Sequence, residues 1–188
     1  DRPPGAATRT RASLGYLMGA VLARACRRMA LTGELVAFPH TIFALPFAFM
    51  GMLLGTASLP TPSQVILVVA AMIGARTAAM SFNRIVDRAI DGENPRTSGR
   101  PLPSGRLSPG WAWCILIASA ILFLSAAAWL GPICLALSPV ALAIVLGYSY
   151  TKRFTWLSHA VLGLGLAIAP VGAWIAVEGR MSPVPFLL

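Results

Sequence analysis

Residues 107–151 read LSPGWAWCILIASAILFLSAAAWLGPICLALSPVALAIVLGYSYT and contain no charged side chain. A helix needs about 20 apolar residues to cross the hydrocarbon core of a bilayer. The stretch is therefore too long for one span and long enough for two. Gly131-Pro132 lies near its middle, and proline breaks helices. We predict two membrane-spanning helices that meet at this dipeptide.

The rest of the chain is similarly apolar. Of its 188 residues, 57% are hydrophobic and 11% charged, where soluble domains carry about 25% charged residues. These values exclude a disordered chain, a coiled coil and a soluble globular domain. Further spans are predicted at 35–60, 64–82 and 154–177, and another begins at Met181. We expect an all-α, polytopic membrane helical bundle with five complete transmembrane helices and the start of a sixth.

The positive charges alternate between the predicted connections. Six arginines precede the first span, five lie between the second and third, and Lys152 and Arg153 lie between the fourth and fifth. The opposite connections carry only Arg180. Cytoplasmic loops are enriched in Lys and Arg, so we predict a cytoplasmic N-terminus. In so apolar a chain, the net charge of +9 reports membrane orientation, and we expect no nucleic-acid partner.

The N-terminal region differs from the apolar spans. Residues 1–13 combine three arginines with Pro, Gly, Ala and Thr, which predicts a disordered basic tail. Residues 14–31 are apolar but interrupted by Arg24, Arg27 and Arg28, which predicts an amphipathic segment at the membrane interface. Residues 32–188 then form the membrane domain.

Acidic residues concentrate at the end of the second span. Asn83, Asp87 and Asp91 are spaced by four, which places them on one face of a helix. Mg²⁺ is commonly held by one or two carboxylates together with water and phosphate oxygens. These three residues are therefore candidate metal ligands. The alternative is a solvated helix end in which the aspartates pair with Arg84 and Arg88.

Basic residues surround this acidic segment. Arg76 lies two helical turns earlier and deeper in the bilayer, where a charged side chain normally faces a cavity. The following loop contains Arg96, Arg100 and Arg106, and arginine suits phosphate recognition. Carboxylates beside such a loop predict a diphosphate site at the membrane surface. Further candidates on the same side of the membrane are Tyr148, Tyr150, Lys152, Arg153, His40 and His159.

Together these motifs resemble the UbiA superfamily of intramembrane aromatic prenyltransferases. The resemblance lies in Asn83-Arg-Ile-Val-Asp87-Arg-Ala-Ile-Asp91 and in Tyr148-Ser-Tyr-Thr-Lys152, which contains the family's YxxxK. The sequences around His40 and Trp174 are also similar. The match begins near residue 33, and the most similar branch is the bacterial 4-hydroxybenzoate polyprenyltransferases.

This resemblance implies an activity and a location. The enzyme would transfer a polyprenyl group from polyprenyl diphosphate to 4-hydroxybenzoate or a related aromatic acid, for ubiquinone or menaquinone biosynthesis. It would act in the bacterial cytoplasmic membrane, among membrane lipids. Asn83, Asp87 and Asp91 would hold Mg²⁺ and diphosphate, Arg100 and Lys152 would contact diphosphate, and Tyr148 would shape the site. Arg96 and Arg153 are further substrate-binding candidates, and we place Arg76 and His40 beside the aromatic acid.

One departure from the family concerns its second aspartate-rich motif. The only acidic residue after Glu93 is Glu178, on the opposite side of the membrane. Family members have about nine helices, so the sequence resembles an N-terminal part, and we expect these 188 residues alone to be inactive. The competing hypothesis is a fragment of a membrane transporter or scaffold. A transporter would place its polar residues near the bilayer midplane, whereas here they gather at the cytoplasmic edge.

Overall fold

The computed structural model describes residues 6–36, 45–56, 59–154 and 158–182. Within these ranges every regular element is an α-helix. The helices are α1 (Ala6–Val36), α2 (Leu45–Leu54), α3 (Pro62–Val86), α4 (Arg88–Glu93), α5 (Pro109–Leu130), α6 (Pro132–Phe154) and α7 (Ser158–Glu178).

Four helices are long and apolar enough to cross a membrane, namely α3, α5, most of α6 and most of α7. They correspond to the second to fifth predicted spans. Gly131 separates α5 from α6 with a φ of 140°, and Pro132 begins α6, as the sequence predicts. Thr61 caps α3 through a reciprocal pair of hydrogen bonds with Gln64. The all-α membrane bundle is therefore confirmed.

The structure describes residues 35–36, 45–56 and 59–60 of the first predicted span, 35–60. Leu35 and Val36 complete α1, and α2 accounts for ten further residues. At 1.5 Å per residue, α2 is about 15 Å long, roughly half the hydrocarbon thickness. Residues 37–44 and 57–58 of this span, and residues 183–188 of the sixth, lie outside the described residues.

The N-terminal helix also begins earlier than expected. It starts at Ala6, inside the range 1–13 that the sequence predicts to be a disordered tail. Residues 6–13 are rich in Ala and Arg, which are favourable helix formers, and the two prolines of the tail precede the helix. The structure therefore differs from the prediction over residues 6–13.

Close helix packing depends on glycine at two contacts. Gly74 of α3 faces α5, where an added Cβ would lie 2.8 Å from the Ser119 carbonyl oxygen and 2.8 Å from the Phe123 nitrogen. Gly51 of α2 faces α7, where a Cβ would collide with the backbone of Pro170. Small residues let membrane helices approach closely. These contacts hold α3 against α5 and α2 against α7.

Two buried apolar clusters organise the bundle. One joins α2, α3 and α7 through Ala48, Met52, Val68, Ala173 and Ala176. The other joins the end of α1 to the loop before α5, and its members are Leu31, Leu35, Leu102, Leu107 and Ala112. The second cluster anchors the arginine-containing loop beside the end of α3.

Candidate active site

Asn83, Asp87 and Asp91 follow one continuous helical path. The Asp87 nitrogen donates to the Asn83 oxygen at 2.9 Å, and the Asp91 nitrogen donates to the Asp87 oxygen at 2.8 Å. Asp87 caps the end of α3 and directly precedes α4, with φ −83° and ψ 0°. The helical hydrogen-bond pattern thus passes through the junction, and the predicted alignment of the three residues on one face is present.

Asp91 is the centre of a buried charge cluster. Its side chain is paired with Arg100, whose Nη1 lies 2.8 Å from each carboxylate oxygen. Arg84 approaches the same carboxylate at 3.8 Å. Asp87 and Asp91 are 8% and 7% exposed, whereas Arg88 is exposed. Of the predicted alternative, pairing of the aspartates with Arg84 and Arg88, the structure shows the contact between Asp91 and Arg84.

The loop after α4 turns back on itself to bring Arg100 to Asp91. The Thr97 hydroxyl donates to the Asp91 carbonyl at 2.9 Å, and the Arg100 nitrogen donates to the Thr97 carbonyl at 3.0 Å. Buried Leu102 and Leu107, in the second half of the loop, pack against α1. These turns, together with the packing of Leu102 and Leu107, place the guanidinium of Arg100 next to the carboxylate of Asp91.

The other two loop arginines have different surroundings. Arg96 is exposed on the loop surface. Arg106, which we predicted to join the phosphate-binding group, forms a salt bridge with Glu34 of α1 at 3.0 Å. Its guanidinium is therefore engaged by a carboxylate of α1 rather than by the Asp91 cluster.

A cavity of about 580 Å³ lies between α3, α5, α6 and α7. Most of its lining is apolar, which suits a hydrocarbon chain. The polar lining residues are Arg76, Asn83, Ser138, Tyr148 and Ser149. The buried Nε of Arg76 has no hydrogen-bond partner among the described residues. The cavity therefore offers a cationic group with unsatisfied hydrogen-bonding capacity.

Asn83 lies on the cavity wall and contacts α6. Its Nδ2 donates to the hydroxyl of Ser149 on α6 at 3.4 Å, and Phe82 packs edge-on against Tyr150 with ring centroids 5.7 Å apart. Ser149 is 1% exposed. Our sequence reasoning overlooked Ser149, although its place between two tyrosines is a signal that could have identified it.

The remaining predicted site residues are His40, Lys152, Arg153 and His159. His40 lies outside the described residues. Lys152 and Arg153 belong to the last turns of α6, and their side chains are outside the description. His159 is exposed near the start of α7. The structure therefore brings together Arg76, Asn83 and Tyr148 around the cavity, and Arg84, Asp91 and Arg100 in the charge cluster.

The residues present fit a Mg²⁺ ion held partly by its substrate. Asn83, Asp87 and Asp91 supply the oxygen donors that Mg²⁺ prefers. A carboxylate has about four lone-pair sites, so Asp91 retains acceptor capacity beside Arg100. Within the described ranges there is no group of three or more His, Cys, Asp or Glu side chains that could form a complete protein cage. A shell completed by water and phosphate oxygens suits this donor set.

Sequence comparison identifies the family. Residues 44–188 match the model of the UbiA prenyltransferase family. The chain is 30% identical to the 4-hydroxybenzoate octaprenyltransferase of Vibrio campbellii, over 79% of this chain and 50% of that protein. It is 36% identical to the protoheme IX farnesyltransferase of Azotobacter vinelandii, over 59% of this chain and 38% of that protein. The chain spans about half the length of the curated relatives it matches.

Solved structures show the same fold. A UbiA homologue from Aeropyrum pernix superposes with a TM-score of 0.71 and 41% identity, covering 77% of this chain and 52% of that one. A homologue from Archaeoglobus fulgidus, bound to DMAPP and Mg²⁺, gives 0.69 and 22%, covering 81% and 56%. The chain is an integral membrane protein and belongs to the UbiA prenyltransferase family.

Proposed function

We propose that the complete protein transfers a polyprenyl group from polyprenyl diphosphate to the ring of 4-hydroxybenzoate or a related aromatic acid. Quinone biosynthesis, of ubiquinone or menaquinone, would use this product. The observation that carries the proposal is an apolar cavity whose wall includes Asn83, one helical turn before Asp87 and two turns before the buried carboxylate of Asp91, which pairs with Arg100. The cavity suits the prenyl chain, and the charged cluster suits its diphosphate.

At the diphosphate end, each residue has a distinct role in the proposal. Asn83, Asp87 and Asp91 hold Mg²⁺, which when bound would neutralise charge on the diphosphate. Arg100 neutralises the phosphate oxygens while remaining close to Asp91. Lys152, Arg96 and Arg153 add positive charge from the same side, and Tyr148 shapes the wall next to Asn83. A homologue of the same fold has been solved with DMAPP and Mg²⁺ bound, which supports a prenyl diphosphate and Mg²⁺ as the ligands.

At the acceptor end, Arg76 is proposed to bind the carboxylate of the aromatic acid, with His40 nearby. The allylic C–O bond breaks and its electron pair leaves with diphosphate. The ring carbon beside the hydroxyl then forms the new C–C bond, and its proton is lost. Positive groups aimed at the departing diphosphate stabilise the charge that develops there.

The direct test is a transfer assay with the complete protein in nanodiscs. Labelled geranyl diphosphate and Mg²⁺ are incubated with 4-hydroxybenzoate or, separately, with protoheme IX, because one relative is named for that acceptor. We expect Mg²⁺-dependent formation of prenylated 4-hydroxybenzoate. Transfer to protoheme alone would contradict the aromatic-acid acceptor, and no transfer to either would favour the transporter or scaffold hypothesis.

We also propose that the N-terminus is cytoplasmic, in the bacterial inner membrane, with residues 14–31 of α1 at the membrane interface. Exposed Met18, Leu22 and Met29 line one side of α1, and Arg24 and Arg27 lie towards other sides, as an interfacial helix requires. Cys26 is exposed on this helix. In a variant that retains only this cysteine, a membrane-impermeant thiol reagent should label inverted vesicles and leave intact spheroplasts unlabelled. Labelling of spheroplasts would contradict the orientation.

A further inference from the structure

The guanidinium of Arg106 connects α1 to two positions in the arginine-containing loop between α4 and α5. Arg106 donates from Nη2 and Nη1 to the two carboxylate oxygens of Glu34, at 3.0 and 3.3 Å. The same Nη2 donates to the carbonyl of Gly99, and Nε donates to the hydroxyl of Ser104 at 3.2 Å. Arg106 therefore connects α1 to loop positions on either side of Arg100.

These contacts fix the backbone that carries Arg100. Gly99 directly precedes Arg100, and the Ser104 hydroxyl donates to the Arg100 carbonyl at 2.6 Å. The side chain of Arg100 extends from this segment, and its guanidinium contacts the carboxylate of Asp91. The path from α1 to the buried carboxylate thus runs through Glu34, Arg106 and Arg100.

We propose that Glu34 and Arg106, together called the brace, are positioning residues that hold Arg100 where it meets the diphosphate. This inference rests on the proposed function. Both side chains are substantially exposed, 48% for Glu34 and 39% for Arg106. Exposed ion pairs contribute little to the free energy of unfolding. The brace acts instead by restricting the loop, because small displacements of a substrate-contacting group reduce activity strongly.

The end of α1 provides a stable platform for the brace. Trp111 of α5 donates from Nε1 to the Thr32 hydroxyl at 3.1 Å, and the Arg28 guanidinium lies 5.4 Å from the Trp111 ring centroid. Leu31 and Leu35 pack against Leu102 and Leu107. Thr32→Val therefore offers a matched control, because it removes a polar contact of α1 while leaving the brace and the apolar cluster in place.

The first test measures hydrogen exchange in the complete protein, without substrate. The amides of Arg100, Ser104 and Leu107 donate to carbonyls within the loop and report its opening. Arg106→Gln and Glu34→Ala should each accelerate their exchange about tenfold, with an unchanged thermal midpoint. Thr32→Val should leave them unchanged. Unaltered loop exchange in the brace variants, or equal acceleration in Thr32→Val, would overturn the proposal.

The second test asks whether the brace acts through Arg100. Affinity for inorganic pyrophosphate with Mg²⁺ should fall about tenfold in Arg106→Gln. In an Arg100→Gln background, the same change should cause no further loss. If Arg106→Gln lowered the affinity for pyrophosphate by the same factor with and without Arg100→Gln, the inference would be overturned. If Arg100→Gln itself leaves pyrophosphate binding intact, the proposed role of Arg100 fails, and loop exchange still decides whether the brace exists.

Discussion

Asp91→Asn is expected to reduce kcat/KM for prenyl transfer by about three orders of magnitude. Two effects combine. The variant removes a negatively charged candidate ligand of Mg²⁺, and it removes the anchor that both carboxylate oxygens provide for Arg100. The new amide group would also present hydrogen-bond donors to Arg84 and Arg100, which are donors themselves. Steady-state kinetics of the complete protein in nanodiscs would measure the loss.

Glu93→Gln is the matched control for this variant. It makes the same chemical change two residues later, on an exposed side chain, and should alter kcat/KM by less than about twofold. Breaking a buried ion pair also destabilises the fold, so the double variant Asp91→Asn/Arg100→Gln is needed. It should recover thermal stability and remain inactive. Recovery of activity in the double variant, or near-normal turnover of Asp91→Asn, would contradict the assignment.

Arg76→Met is expected to raise KM for 4-hydroxybenzoate about 100-fold, while KM for the prenyl diphosphate stays unchanged. The proposed partner of Arg76 is the acceptor carboxylate, and methionine retains length without charge. Because the buried Nε has no hydrogen-bond partner among the described residues, its removal should not lower the thermal midpoint. Initial rates at varied concentrations of each substrate would separate the two KM values.

The methyl ester of 4-hydroxybenzoate, which lacks the carboxylate charge, serves as a second acceptor in this experiment. The unmodified protein should discriminate strongly against the ester, whereas Arg76→Met should accept acid and ester almost equally. Arg76→Lys, which keeps the charge, should recover part of the preference. A variant that still prefers the acid as strongly as the unmodified protein would show that another group recognises the carboxylate.

The parts of the fold that the sequence predicts well have a local physical cause. Gly131-Pro132 divides α5 from α6 because proline can begin a helix and cannot continue one from its interior. The alignment of Asn83, Asp87 and Asp91 follows from helical periodicity alone. The length of α5 follows from uninterrupted apolar composition, and that of α3 from a mostly apolar run that contains Arg76.

The parts that it does not predict depend on tertiary contacts. Arginine content identified the loop as a phosphate-binding candidate, but no local rule pairs Arg106 with Glu34, which lies 72 residues earlier. Whether Arg84, Arg88 or Arg100 meets Asp91 depends on the way in which the loop turns. The boundary between α1 and the first span also depends on packing, because Leu31 and Leu35 are buried against the loop.

The sequence separations of the site's contacts imply an order of assembly during synthesis. Asp91 and Arg100 are nine residues apart, and Glu34 is already translated when Arg106 emerges. The Asn83 contact with Ser149 spans 66 residues and must await translation of α6. N-terminal segments fold first on the ribosome, and contacts near in sequence form fastest. The charged end of the site can therefore form while the chain is still being made, and the apolar cavity closes later.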